Sequence, residues 1–288
     1  MTVKRPGWED RSKDDSFWLH EPPQFSEKAQ QVLGKYSKLP RESWEEHVTE
    51  IRDQAWQCAP FPCVGMWGFL SFGITGSVEY PEVVDRLKKG QTLLDLGGGL
   101  GQDLRALVAD GAPSESLTLF DMDEDLWKVG YDLFRDRQDF KAKFIPGDIF
   151  KPSQLFHLSE AFDMVFGGNF LHLFDIKEQK EVINTILDLI CPRKGSLVFG
   201  FQIGTRGEPR MLGGPKGRGY RHTTQSIQDM WKSTAAAKGF EVETAAEGIE
   251  LHSQPDITQH VDVGGEPLLK LQWSMRVTGL FDPSERTA

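Results

Sequence analysis

Cysteine is scarce in this chain. Cys58, Cys63 and Cys191 stand apart, with no CxxC pair and no His-rich companion segment. That pattern excludes a disulfide framework and a metal site of recognisable spacing, and leaves reduced thiols in or near a core as the expectation. Positive charge is short as well: 33 Lys and Arg face 43 Asp and Glu, for a formal net charge of -10. A nucleic-acid partner needs a clustered excess of cations over phosphates, so none is expected. No window holds the unbroken apolar run that a membrane span requires, and the opening MTVKRPGWEDRSKDD lacks the apolar stretch of a secretory leader. The expected setting is therefore cytoplasmic, with a small molecule rather than a membrane as partner. Internal repeats and low-complexity tracts are also missing.

What is present is organised in three parts. Residues 1–27 are charged and Pro-containing, with apolar residues too sparse for a helical face, so they read as an extended arm whose Phe17, Trp18 and Phe25 can dock on a core. Residues 28–80 read as a helical and aromatic lid. Val32, Leu33 and Tyr36 share one helix face, and Ser43 followed by Glu46 has the spacing of a capping box opening a second helix. The segment CAPFPCVGMWGFLSFGI, residues 58–74, is broken by Pro60, Pro62, Gly65, Gly68 and Gly73, yet is too apolar to lie free in water. Trp56, Phe61, Met66, Trp67 and Phe69 are its candidate contacts for an apolar ligand; packing of the prefix helices on a sheet is the competing use. Exposed apolar faces on these helices make a homodimer conceivable.

From residue 81 to 288 the pattern changes to short apolar runs alternating with amphipathic stretches, the signature of a parallel sheet covered on both faces. TLLDL (92–96), SLTLF (116–120), AKFI (142–145), DMVFG (163–167) and SLVFGF (196–201) are the strands, with helices at 103–109, 126–137, 177–190 and 226–238. FEVETAAEG and PLLKLQWSMRV then follow each other without a helix between them, which predicts an antiparallel pair at the end of the sheet. The fold class is α/β, Rossmann-like, parallel with a terminal antiparallel hairpin.

The first strand runs into Asp95-Leu96-Gly97-Gly98-Gly99-Leu100-Gly101. Glycines at such a strand-to-helix turn let the backbone approach a ligand closely. A dinucleotide fingerprint requires G-x-G-x-x-G, and Gln102 stands where its third glycine belongs. An acid followed by G-x-G-x-G instead resembles the first motif of the class I S-adenosylmethionine-dependent methyltransferases. A carboxylate suits that cofactor, which carries an ammonium and a sulfonium where a dinucleotide carries phosphates. Asp95 faces its methionine end in this reading. Asp121, at the end of the second strand, can accept from both ribose hydroxyls, or else cap the helix beginning near residue 124. Asp148 can hold the adenine amino group, with Ile149 and Met122 on the two ring faces, and Asn169 and Phe170 line the rim after the fourth strand.

Together with the two-helix prefix and the aromatic segment, LLDLGGGLGQDLRAL, LFDMDEDLW, PGDIF and FDMVFGGNFLHLFD resemble the fungal methyltransferases of meroterpenoid and related secondary-metabolite pathways, over roughly residues 30–280. The resemblance implies methylation of an oxygen on a polyketide-terpenoid or aromatic acid, often a carboxylate that becomes a methyl ester. No metal is required for such a displacement. A carboxylate acceptor, with a pKa near 4, needs no base, whereas a phenol, near 10, does. His172 is the base candidate, with orientation of the acceptor or a backbone hydrogen bond at the next helix as its other roles; His222 is the second candidate. The loop GTRGEPRMLGGPKGRGYRH carries Arg206, Arg210, Lys216, Arg218 and Arg221, which can clamp an acidic substrate or simply be solvated. An amine or carbon acceptor, a fold that holds the cofactor without consuming it, and a nicotinamide oxidoreductase are the alternatives.

Overall fold

The computed structural model describes residues 17–151, 155–212, 219–250 and 268–281. The chain divides into two compact units, 1–90 with 97–146, and 91–96 with 147–288.

In the first unit the prefix begins with a single turn α1 (Glu27–Gln30) that passes into a π-helical turn Gln31–Tyr36. Next comes α2 (Trp44–Cys58), whose Trp44, Val48, Ile51 and Ala55 recur at helical spacing and are all buried. The expected capping box does not form: Ser43 makes no side-chain cap, and its hydroxyl instead donates to the Pro40 carbonyl at 2.9 Å. The Pro- and Gly-broken segment folds into the turn α3 (Pro62–Gly65) and two 3-10 turns. Between those turns Trp67 and Phe72 hold left-handed backbone, φ 62 and 47. Such residues cost of order 1 kcal/mol each and persist where packing fixes them. Then come α4 (Tyr80–Lys88), α5 (Gln102–Ala109), β2 (Leu117–Asp121), α6 (Glu124–Phe134) and β3 (Lys143–Pro146), with β2 and β3 paired in parallel.

The second unit holds β1 (Leu93–Leu96), β4 (Met164–Gly168), α7 (Ile176–Leu189), β5 (Leu197–Thr205), the two-residue strands β6 (Arg210–Met211) and β7 (Tyr220–Arg221), α8 (Thr224–Ala237), β8 (Phe240–Glu250) and β9 (Leu268–Leu280). β1, β4 and β5 are parallel neighbours, buried on both faces, which explains their unbroken apolar runs. β9 then pairs antiparallel with β5 and β8, and Trp273 of β9 packs on Trp231 of α8 at 5.1 Å between ring centroids. The main sheet runs β3-β2-β1-β4-β5-β9-β8, so the chain order reverses at β1 and β4. This is the expected Rossmann-like sheet with its antiparallel ending. In open α/β sheets the carboxyl ends of the strands at such a reversal hold the ligand. Among the described residues no helix is long and apolar enough to cross a membrane.

Candidate active site

In the first unit the turn after β1 is built from left-handed backbone: Gly97, Gly99 and Gly101 have φ 69, 54 and 71. Its two ends are fixed by amide hydrogen bonds, Gly97 N to the Phe120 carbonyl and Gly101 N to the Gly98 carbonyl, both 2.8 Å. Asp121 clasps the middle, its Oδ2 accepting from Gly99 N at 3.1 Å while Oδ1 accepts from Asp123 N at 2.9 Å. The capping of α6 falls to Asp123, which accepts from the Asp125 and Leu126 amides. A Cβ on Gly99 would come no nearer than 4.0 Å to a side chain, Leu126, so the turn has room beside it. Next to Asp121, Met122 is 40% exposed.

Behind the turn lies a feature that sequence reasoning missed. Arg105, fully buried in α5, donates from Nη1 to the Leu100 and Gly101 carbonyls at 3.1 and 3.4 Å. Its remaining donors form a bidentate pair with Asp136, Nε to Oδ2 at 2.9 Å and Nη2 to Oδ1 at 3.2 Å. Trp127, Phe134 and Phe140 surround the guanidinium. Tyr36 donates to Asp136 Oδ2 at 2.7 Å, and burial, then the Asp136 charge, pushes its phenol pKa far up. The available signal was an arginine inside the apolar run DLRALVA, which solvation alone does not explain. A shallow cavity of about 380 Å³ lined by Tyr131, Asp132, Arg135, Arg137, Gln138 and Asp139 contains none of the turn residues.

In the second unit Asp95 is 1% exposed within β1. Asp148 follows β3, its Oδ1 accepting from Phe150 N at 3.1 Å, and Ile149 beside it is buried. After β4, Asn169 takes left-handed backbone, φ 52, and its amide donates to the Phe201 carbonyl at 2.7 Å. Phe170 and Phe150 both pack edge-on against Phe174, at 5.3 and 5.1 Å. All three rings are half-buried, so they offer an apolar wall. Nothing in the sequence spacing of Phe150 and Phe174 says that they meet.

His172 lies in the 3-10 turn Leu171–Leu173. Its Nδ1 accepts from Ile203 N at 3.3 Å. Burial, then the Arg221 charge, holds its pKa well below the usual imidazole range. The ring is therefore neutral with its proton on Nε2. Capping of the following helix is done by Asp175 and Glu178, so His172 does not serve there. The expectation for His222 is overturned: it is 1% exposed, with Nδ1 on Ser226 Oγ at 2.8 Å and Nε2 on Gln179 Oε1 at 3.0 Å. Burial draws its pKa down to about 4. Both nitrogens are committed to joining α7 and α8, which leaves none for a substrate. Arg206 forms an ion pair with Glu250, so it is not a ready clamp, while Lys216 and Arg218 lie outside the described residues.

Comparison with known proteins follows the same line. A family model described as the meroterpenoid methyltransferase N-terminal domain matches residues 18–70. The O-methyltransferase atr3 of Stereocaulon alpinum is 37% identical over 77% of this chain, which spans 66% of that protein. The O-methyltransferase phiE of a fungal species is 34% identical over 76% of this chain and 74% of its own length. For the methyltransferase trt5 of Aspergillus terreus the figures are 36%, 78% and 80%. The chain belongs to this family of fungal methyltransferases. The resemblance to fungal methyltransferases drawn from the motifs is met as family membership, and the chain spans about two thirds of the length of a relative such as atr3, 66%.

The family's N-terminal domain also explains where the aromatic segment goes. Arg52 of α2 lies between Trp18 and Trp67, its guanidinium carbon 3.8 and 3.9 Å from the two ring centroids. Both Arg52 Nη1 and Trp67 Nε1 donate to the Leu19 carbonyl, and Trp56 packs edge-on against Trp18 at 5.1 Å. Trp56, Trp67 and Phe69 are 4, 2 and 3% exposed. The expected substrate contacts at Trp56 and Trp67 are thereby corrected: these rings form the domain's own core, because a buried guanidinium needs aromatic faces and carbonyls around it. Phe61 and Met66 remain half-exposed and keep surface for a ligand.

Proposed function

We propose that the protein transfers a methyl group to an oxygen of a small, largely apolar acceptor, and that this oxygen belongs to a carboxylate, giving a methyl ester. The observation that carries this reading is His172. A ring that accepts a backbone amide at Nδ1 and stays neutral presents an Nε2–H, which donates a hydrogen bond and cannot take a proton from a phenol. A carboxylate is already ionised at neutral pH and benefits from a donor.

The residues divide into clear tasks. In the first unit, the amides of the turn around Gly97 and Gly99 and the Asp121 carboxylate would hold the ribose end of the cofactor, with Met122 beside its base. In the second, Asp95 would take the ammonium, Asp148 the adenine amino group and Ile149 one ring face. Asn169, Phe170, Phe150 and Phe174 would shape an apolar rim that excludes water while the acceptor is held in line. S-adenosylmethionine, when bound, supplies an electrophilic methyl group on a charged sulfur that departs as a neutral thioether. An ionised carboxylate acceptor would need no side chain to take a proton, so His172 would only have to donate to it and orient it.

The test uses methyl-labelled cofactor and a panel of prenylated and alkylated aromatic acids. A labelled product that mild alkali hydrolyses to release methanol is the ester and supports the reading. An alkali-stable labelled ether would place the methyl on a hydroxyl and overturn it. Label that stays on the cofactor with every acceptor favours a protein that binds it without consuming it.

A further inference from the structure

Arg221 ends β7 with 5% of its surface exposed. Among the described residues its guanidinium makes a single hydrogen bond, from Nη1 to the His172 carbonyl at 2.6 Å. Nε is buried without a partner. Burial draws the group down to a pKa of about 10, and among the described residues no carboxylate acts on it in the opposite sense. A buried cation of this kind is strongly disfavoured unless an anion completes it.

Two further observations say what that anion would be near. Arg210 is the direct register partner of Arg221 across the β6–β7 ribbon. Directly opposed residues of an antiparallel pair share a face. The ribbon is also fastened to the segment that follows β4: Tyr220 N donates to the Phe174 carbonyl at 2.9 Å, and Gln179 Nε2 bridges the Phe174 and Tyr220 carbonyls at 3.0 and 3.2 Å. Arg221 is therefore held next to His172 and the aromatic rim by a rigid frame, not carried on a free loop.

We propose that Arg221 is the specificity residue for the acceptor's carboxylate, its unused guanidinium donors taking one carboxylate oxygen and leaving the other free to attack. This rests on the carboxylate reading given above. An amide or alcohol in place of the acid offers no charge to complete the buried cation, so selection for acids follows from the arrangement.

The test is calorimetric, on full-length protein saturated with S-adenosylhomocysteine, with 4-pentylbenzoate and its uncharged counterpart 4-pentylbenzamide as probes. In the wild type the acid binds at least tenfold more tightly than the amide. Arg221→Gln brings the acid down to the amide's level and leaves the amide unchanged, while Arg221→Lys keeps part of the preference. Equal binding of the two probes to the wild type overturns the proposal, as does a loss in Arg221→Gln that is the same for both. Should Arg221→Gln fold poorly, Arg221→Lys with the wild-type acid-to-amide ratio decides it: an undiminished ratio in the lysine variant counts against recognition by the guanidinium fork. The two readings fail separately. Formation of an alkali-stable ether removes the carboxylate reading, whereas ester formation with an unchanged KM for the acid in Arg221→Gln removes only the role of Arg221.

Discussion

Replacing Asp121 by Ala separates the cofactor site from the fold around it. In the protein the carboxylate already accepts from Gly99 N and Asp123 N, so its loss frees two amides near the surface. Each such bond contributes about 1 kcal/mol net, partly recovered by water, so stability should fall by about 1–2 kcal/mol and the protein should stay folded. Binding should suffer more. Two ribose hydroxyls donating to a carboxylate make charge-assisted hydrogen bonds of roughly 1.5 kcal/mol each at a half-exposed site, together about 2–3 kcal/mol, or about 30- to 150-fold in Kd. Asp121→Asn, which keeps one acceptor oxygen, should fall between. Calorimetric titration with S-adenosylhomocysteine measures this, and 5′-methylthioadenosine, which keeps the ribose but lacks the amino-acid end, should lose the same factor. An Asp121→Ala protein that melts normally and binds both ligands within threefold of the wild type would refute the assignment.

Three other perturbations test neighbouring parts of the argument. Arg105→Met leaves Asp136, 6% exposed, without its counter-charge and should cost about 3–5 kcal/mol in urea unfolding; adding Asp136→Asn should restore part of that, and a single variant as stable as the wild type would contradict the buried pair. Gly101→Ala and Gly99→Ala both force alanine into left-handed backbone, but only the first also drives a methyl to 2.5 Å from Arg105 Nη1 and 2.6 Å from Trp127. Gly101→Ala should therefore lower the melting temperature strongly, whereas Gly99→Ala should cost about 1–2 kcal/mol of stability and a larger factor in cofactor affinity; equal effects of the two on melting would count against it. His222, with a folded pKa near 4 against about 6.5 when unfolded, is neutral in both states above pH 6.5. As pH falls from 6.5 to 4 the unfolded chain takes the proton first, so His222 lowers stability by up to about 3 kcal/mol on top of what His172, with its own lowered pKa, takes in the same direction, and His222→Gln should make the slope shallower by that amount; thermal melts at pH 7.5 and 5 that give the same difference for both proteins would refute it.

The sheet was readable because its physics is local. A strand buried on both faces must be a short apolar run, as β1, β2, β4 and β5 are, while β8 and β9 alternate between a buried and an open face; all six begin within a residue of the sequence-based starts. The acids at their ends were visible for the same reason. What could not be read depends on contacts between distant residues. Trp56 and Trp67 have the composition of a ligand wall and of a core alike, and it is Arg52 between Trp18 and Trp67 that decides. Whether His222 is a catalytic base depends on Gln179, which is 43 residues away. The ribbon β6–β7 has two-residue strands within a glycine-rich stretch, too short for any alternation to register, and without it the burial of Arg221 has no sequence signature.

The same long-range contacts change what the prefix is for. Within the first unit, Tyr36 reaches Asp136, Asp136 grips Arg105, and Arg105 holds the carbonyls of Leu100 and Gly101. A second tie runs from Ile74 N to Asp103 Oδ1 at 2.9 Å, in the first turn of α5, which leaves the glycine turn. A third joins Lys28, Gln31 and Tyr80 to Asp110 at the other end of that helix. Three anchors on one eight-residue helix and its leading turn make the prefix a brace for the cofactor loop, since a turn of left-handed glycines has little rigidity of its own. A lid would be expected to open and close, with its aromatic rings exposed in the open state; here the largest rings are spent on Arg52 and the polar contacts on α5. What these contacts fix is the geometry of the glycine turn. Tyr36→Phe, which removes one link and no volume from the core, should weaken S-adenosylhomocysteine binding in proportion to the roughly 1 kcal/mol it takes from stability.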